Sequence, residues 1–136
     1  MSKTNVFEND ILKFTFNTTA LADVGTTLYV GLHTAELPET ATTQVESEAS
    51  YTGYARIAAR RDNTDFWTVT GNSVSPAAAI SFGQNTAGAN TITHWSIGKA
   101  ASGHSAILYK GTVTPNITCV VGVTPRLAST STITED

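Results

Sequence analysis

Three histidines, His33, His94 and His104, are the side chains of this sequence best suited to proton transfer or metal ligation near neutral pH. None belongs to an HxH or HExxH pattern or stands at Cys/His ligand spacing. His33 ends one predicted strand and His94 lies inside another, so a sheet can bring them together. Two polar side chains on a wet or interfacial face is the simpler expectation. The carboxylates Glu36, Glu39, Glu46 and Glu48 crowd into a Thr-rich loop, and Asp62 and Asp65 into a tight turn. A general acid needs a raised pKa and therefore burial, and these segments offer little apolar cover. Solvated charge is what they predict. No serine sits in a GxSxG elbow. The glycine-bearing run Gly83-Gln84-Asn85-Thr86-Ala87-Gly88 lacks the lysine of a phosphate loop and precedes no helix. The single cysteine, Cys119, lies in the apolar run Ile117-Thr118-Cys119-Val120-Val121 and reads as a buried, inert thiol. The sequence thus predicts no catalytic, cofactor-binding or metal-ligating residues, and not an enzyme.

Aromatic side chains are the remaining means of recognition. Trp67, Trp95, Tyr29, Tyr51, Tyr54 and Tyr109 can stack on a sugar or anchor a protein contact, although most are needed for a core. Trp67, beside the polar turn at 62–65, is the one best placed for an intermolecular contact.

The elements that must position these residues are mostly strands. At 136 residues the chain has room for one domain and one core. Charged residues make up 14 %, against roughly 25 % in an ordinary soluble domain. Twenty-four threonines take up the surface instead. Threonine is β-branched, which suits a pleated strand, and its hydroxyl suits a face that is wet or pressed on a neighbour. The net charge of −3, with Arg60-Arg61 as the only basic doublet, argues against a nucleic-acid surface. No segment is long and apolar enough to cross a membrane, and the N-terminus has no signal-peptide core. A protein made and kept soluble in a cytoplasm is expected.

Residues 7–17 form the best helix candidate, with Asn9 or Asp10 as cap and Ile11, Leu12, Phe14 and Phe16 as apolar groups. Residues 1–25 are accordingly an N-terminal arm or short helix. Thr27-Leu28-Tyr29-Val30-Gly31-Leu32-His33 alternates as a strand with Leu28, Val30 and Leu32 on one face. Residues 36–50 read as a long exposed loop. Strand patterns follow at 51–58, 66–70, weakly up to Phe82, at 91–97, 105–113 and 117–123, and as an edge at 127–133. Thr114-Pro115-Asn116 is expected to turn the chain between two of them, and 129–136 to form a C-terminal tail. Seven to nine short strands with turn signals between them predict an all-β fold, a jelly-roll-like β-sandwich over the single domain 1–136.

Several ordered blocks carry a resemblance. Thr4-Asn5-Val6-Phe7-Glu8-Asn9-Asp10-Ile11-Leu12 is followed by Leu28-Tyr29-Val30-Gly31-Leu32-His33-Thr34-Ala35, then Gly53-Tyr54-Ala55-Arg56 after an acidic loop. Thr93-His94-Trp95-Ser96-Ile97-Gly98 and Ile107-Leu108-Tyr109-Lys110-Gly111 complete the set. Together they resemble a family of small tailed-phage virion proteins, often labelled tail-fibre-like and most similar to the capsid cement, or decoration, proteins of podovirus-type phages. The resemblance implies a jelly roll on the outside of an icosahedral shell, clamping neighbouring major capsid subunits as a symmetric homo-oligomer. It implies localisation to the virion's capsid surface after assembly in the bacterial host cytoplasm, and no catalytic, cofactor or metal residues. The other role such a chain fits is a tail or tail-fibre component binding host carbohydrate or other tail proteins. In the capsid role the terminal segments, 1–10 and 129–136, are expected to reach adjacent subunits, because neither has a self-contained apolar pattern.

Overall fold

The computed structural model describes residues 2–21, 24–61 and 66–135. Ten strands and one helix follow in the order β1 (Ser2–Lys3), α1 (Asn5–Phe16), β2 (Thr27–His33), β3 (Ile57–Arg60), β4 (Trp67–Thr70), β5 (Ser73–Pro76), β6 (Ile80–Ser81), β7 (Asn90–Gly98), β8 (Ile107–Cys119), β9 (Arg126–Leu127) and β10 (Ile133–Thr134). The main sheet is antiparallel in the order β1-β8-β7-β2-β3, and β10-β5-β4 and β6-β9 form two smaller sheets. This is the expected all-β sandwich with a short N-terminal helix.

Register on the main sheet follows from the alternation of side chains. Val30 lies opposite Ile97 and Leu32 opposite Trp95, so these four apolar groups share one face. That face meets Ile80 and Phe82 around β6, Leu127 of β9, Ile133 of β10 and, half-buried, Trp67 and Val74. The opposite face is covered too. Residues 34–48 fold across it, burying Leu37 and Ala41 against Ile107 in a second cluster, while Ala49, Tyr51 and Tyr54 join the first. Eight of the fifteen residues of the loop at 36–50 are exposed, yet it is anchored through Leu37, Ala41, Gln44 and Ala49, which are buried. Its polar composition satisfies a polar face of the sheet.

Several boundaries shift for identifiable reasons. The strand predicted at 51–58 starts later and runs on to give Ile57–Arg60, because Tyr54 N–H turns back to the Tyr51 carbonyl and Gly53 adopts a φ of 103°. Thr114-Pro115-Asn116 does not reverse the chain: β8 runs through it as one strand. The register slips between Ile92↔Ile117 and His94↔Thr112, so residues 113–116 bulge opposite Thr93, and a bulge accepts a proline that has no N–H for the ladder. The expected strand at 127–133 divides into β9 and β10 around a turn closed by Ser131 N–H to the Ala128 carbonyl. The strand expected at 117–123 ends at Cys119, and Val121 is exposed beside the turn at Gly122. The turn predicted at 62–65 lies outside the described residues.

Both termini are stitched into the domain rather than reaching away from it. Ser2 and Lys3 pair with Lys110 and Tyr109. Thr4 is fully buried, with its N–H on the Leu108 carbonyl and its hydroxyl on that of Ile107 at 2.6 Å. Thr4 is the N-cap of α1, in place of Asn9 or Asp10, and its hydroxyl serves the sheet instead of the helix. At the other end Ile133 enters the core, and Glu135 bonds both the Lys3 ammonium and the Tyr109 hydroxyl. The Glu135 carboxyl is held below its ordinary pKa: burial raises it, and the bonds from Lys3 and Tyr109 outweigh that. What stands away from the sheet is α1, in which no residue is buried.

Candidate functional site

The histidine and carboxylate candidates of the loop and sheet converge on a sealed network. His33 and His94 do meet, as direct partners across β2 and β7. His33 is fully buried. Its Nδ1 lies 2.8 Å from the Glu46 carbonyl and its Nε2 2.7 Å from Ser96 Oγ. The carbonyl accepts only, so Nδ1 carries the proton and Ser96 donates to Nε2. Gln44 Nε2 donates to Ser96 Oγ and to the Tyr29 carbonyl, both at 3.0 Å. Burial pushes the His33 pKa down from 6.5; the Glu46 carbonyl and the Glu48 charge oppose this, and Arg56 and His94 reinforce it. A serine and a histidine at hydrogen-bond distance suggest a nucleophile, but both are fully buried. The pair ties the loop to the sheet.

Glu48 is the carboxylate that sequence reasoning misplaced. Its two oxygens accept a fork from Arg56, Nε at 2.6 Å and Nη2 at 2.8 Å, and Tyr54 donates to the same carboxylate at 2.9 Å. The Arg56 side chain is 1 % exposed and that of Glu48 15 %. Arg56 also donates to the carbonyls of Ala100 and Gly103, and Tyr54 accepts from Leu32 N–H. Burial raises the Tyr54 hydroxyl far above its usual pKa. The acidic loop needed an internal arginine, and Arg56 in the Gly-Tyr-Ala-Arg block is the signal that points to it. Glu39 pairs with Lys110 at 2.8 Å on the same face. His104 is exposed in the loop after β7. The Gly83–Gly88 run is a clasp: Thr52 and Ala87 form a bridge, and Thr86 N–H bonds the Thr52 carbonyl. Cys119 is fully buried, and burial raises its thiol pKa. No group of three or more metal-ligating side chains is gathered among the described residues.

Open surface lies elsewhere. Beyond Lys110, the outer edge of β8 has no strand beside it among the described residues, because β1 pairs with Tyr109 and Lys110 alone. Residues 111–118 of that edge form one wall of a groove of about 810 Å³, and residues 126–132 form the other. Its lining is short and hydroxyl-rich, with Thr112, Thr118, Thr130 and Asn116, one cation in Arg126, and Trp95 at the floor. The floor is set by Gly111, where a Cβ would lie 2.7 Å from Trp95 Nε1. A strand edge presents unpaired N–H and C=O groups at regular spacing. Here the residues of that edge line the slot.

A β-sandwich with an open strand edge and an unburied apolar helix has the surfaces of a structural protein that works among other chains. Residues 2–134 match the family described as Podophage GP4 fiber I protein gp80, and the chain belongs to that family. It is a structural protein of a podophage virion. No curated protein matches it.

Proposed function

We propose that this protein reinforces the phage shell from outside, seating an extended segment of the major capsid protein along the open edge of β8. The observation that carries the reading is the slot itself, a free edge over residues 111–118 facing a second wall at 126–132. An extended segment entering it adds a strand to the main sheet. Main-chain bonds then supply affinity, and the threonine-lined walls select its side chains. A binder of the assembled lattice stabilises that lattice by mass action. Many copies per shell add avidity, so each contact can be modest.

A second role is a fibre component, favoured by the word "fiber" in the family description and by the groove's lining. Hydroxyl, amide and guanidinium groups over an indole also suit a carbohydrate. Gel densitometry of purified virions separates the two. Capsid reinforcement predicts a copy number comparable with that of the major capsid protein. A few copies per particle, with glycan binding by the isolated protein, overturns it in favour of the fibre.

A further inference from the structure

We infer that α1 is an exchange element: its Leu12–Phe16 ridge seats in an apolar cleft of a second copy of this chain, which offers its own helix in return. The inference stands apart from the capsid reading and concerns a different surface.

The helix is under-covered for what it carries. Twelve residues make a marginal helix in water by themselves, and α1 has no buried residue to support it. Leu12 is 54 % exposed, Phe14 53 % and Phe16 76 %. Its attachment to the domain is at its start, where Phe7 packs edge-on against Tyr109 with centroids 5.5 Å apart. Glu8, Leu12 and Phe16 follow at four-residue spacing and form one ridge, an acid leading two apolar knobs. Phe7, Ile11 and Phe14 belong to another side of the helix. Cover for the ridge must therefore come from elsewhere than the sheet edge below Phe7.

The matching feature is a cleft of about 340 Å³ between the main sheet and the β10-β5-β4 sheet, walled by Leu28, Trp67, Val69, Val74 and Tyr109 with Arg61 at its rim. Val69 is 73 % exposed there. A cavity of about 150 Å³ takes one benzene ring, so this cleft has room for about two such groups, matching one leucine and one phenylalanine. Charge matches as well: the ridge opens with Glu8 and the cleft carries Arg61. The Tyr109 ring borders the cleft and also supports Phe7, so helix and cleft adjoin on one side of the molecule. Each copy thus presents a knob and a hole side by side, which is the requirement of a self-complementary contact. The Trp67 contact expected from the sequence falls in this cleft.

Sedimentation of the full chain over a range of concentrations tests the proposal. Self-association is expected, and Leu12→Asp/Phe16→Asp should abolish it while circular dichroism stays native, since both side chains are exposed. Arg61→Glu should weaken it at least several-fold, and adding Glu8→Arg should restore it. Mixing a Phe16→Cys chain with a Val69→Cys chain should give a disulfide-linked heterodimer. A chain that is monomeric at every concentration overturns the proposal, as does association that survives the double aspartate variant. Failure of the mixed pair to cross-link does the same.

Discussion

Replacing Arg56 by alanine removes the cation at the junction of three segments. The guanidinium holds Glu48 in a two-pronged contact at 2.6 and 2.8 Å and bonds the carbonyls of Ala100 and Gly103. Four donor contacts are lost, and Glu48, with 15 % of its side chain exposed, keeps its charge with the Tyr54 hydroxyl still bonded but its guanidinium partner gone. Breaking a buried pair from one side costs about 3–5 kcal/mol. The small exposure of Glu48 puts the expected loss near the lower end, about 3 kcal/mol. With a urea slope of about 1–3 kcal/mol per molar for small proteins, the unfolding midpoint should fall by about 1 M or more. Equilibrium urea unfolding followed by tryptophan fluorescence measures it. The double variant Glu48→Gln/Arg56→Met should lose less than the sum of its two single changes, because the stranded charge is gone. A loss below about 1 kcal/mol for Arg56→Ala, the scale of a surface pair, would refute the view that this contact locks the loop onto the sheet.

Stability should also depend on pH through His33. Its folded pKa lies below 6.5, so the unfolded chain binds the proton more readily than the folded one. The stabilisation is then complete above pH 6.5 and declines as pH falls below that value, by at most about 1.4 kcal/mol per pH unit. Urea midpoints between pH 7.5 and 5 should fall less steeply in His33→Gln than in the parent; equal slopes contradict the assignment. Gly98→Ala should cost about 1–3 kcal/mol by overpacking, because the added Cβ would lie 2.1 Å from Gln44 Oε1 and 2.9 Å from Ser105 Oγ. An unchanged thermal midpoint would show that Gln44 is not fixed in the network.

The strands of the main sheet were legible because their alternation is strong: β2 spans the very residues whose pattern defines it, and β7 extends the predicted run by one residue at each end. The loop over the second face was not, because its cohesion is polar. Burial of His33, Gln44 and Glu48 comes from partners far along the chain, Ser96 and Tyr29 among them, and local composition cannot show them. Pro115 misled for a related reason, since a bulge and a turn use the same residues. The ordered blocks of the family resemblance turn out to interlock. Gly53 brings its backbone against Gln84, where a Cβ would lie 2.2 Å from the carbonyl oxygen. Tyr54 and Arg56 hold Glu48, Ser96 holds His33, and Trp95 lies over Gly111. They are determinants of the fold. The two surfaces proposed for contact, the β8 edge and the α1 ridge, carry no such signature: one is defined by a strand that stops early, the other by what fails to cover it.

The claim that the β8 edge seats a capsid segment is tested most directly by site-specific photo-cross-linking in assembled virions. A photoreactive residue placed at Thr118, exposed on the groove wall, should capture a peptide of the major capsid protein, and one placed at Thr68 on β4 should not. Capture of tail proteins alone from Thr118, or no capture at that position in intact particles, would contradict it.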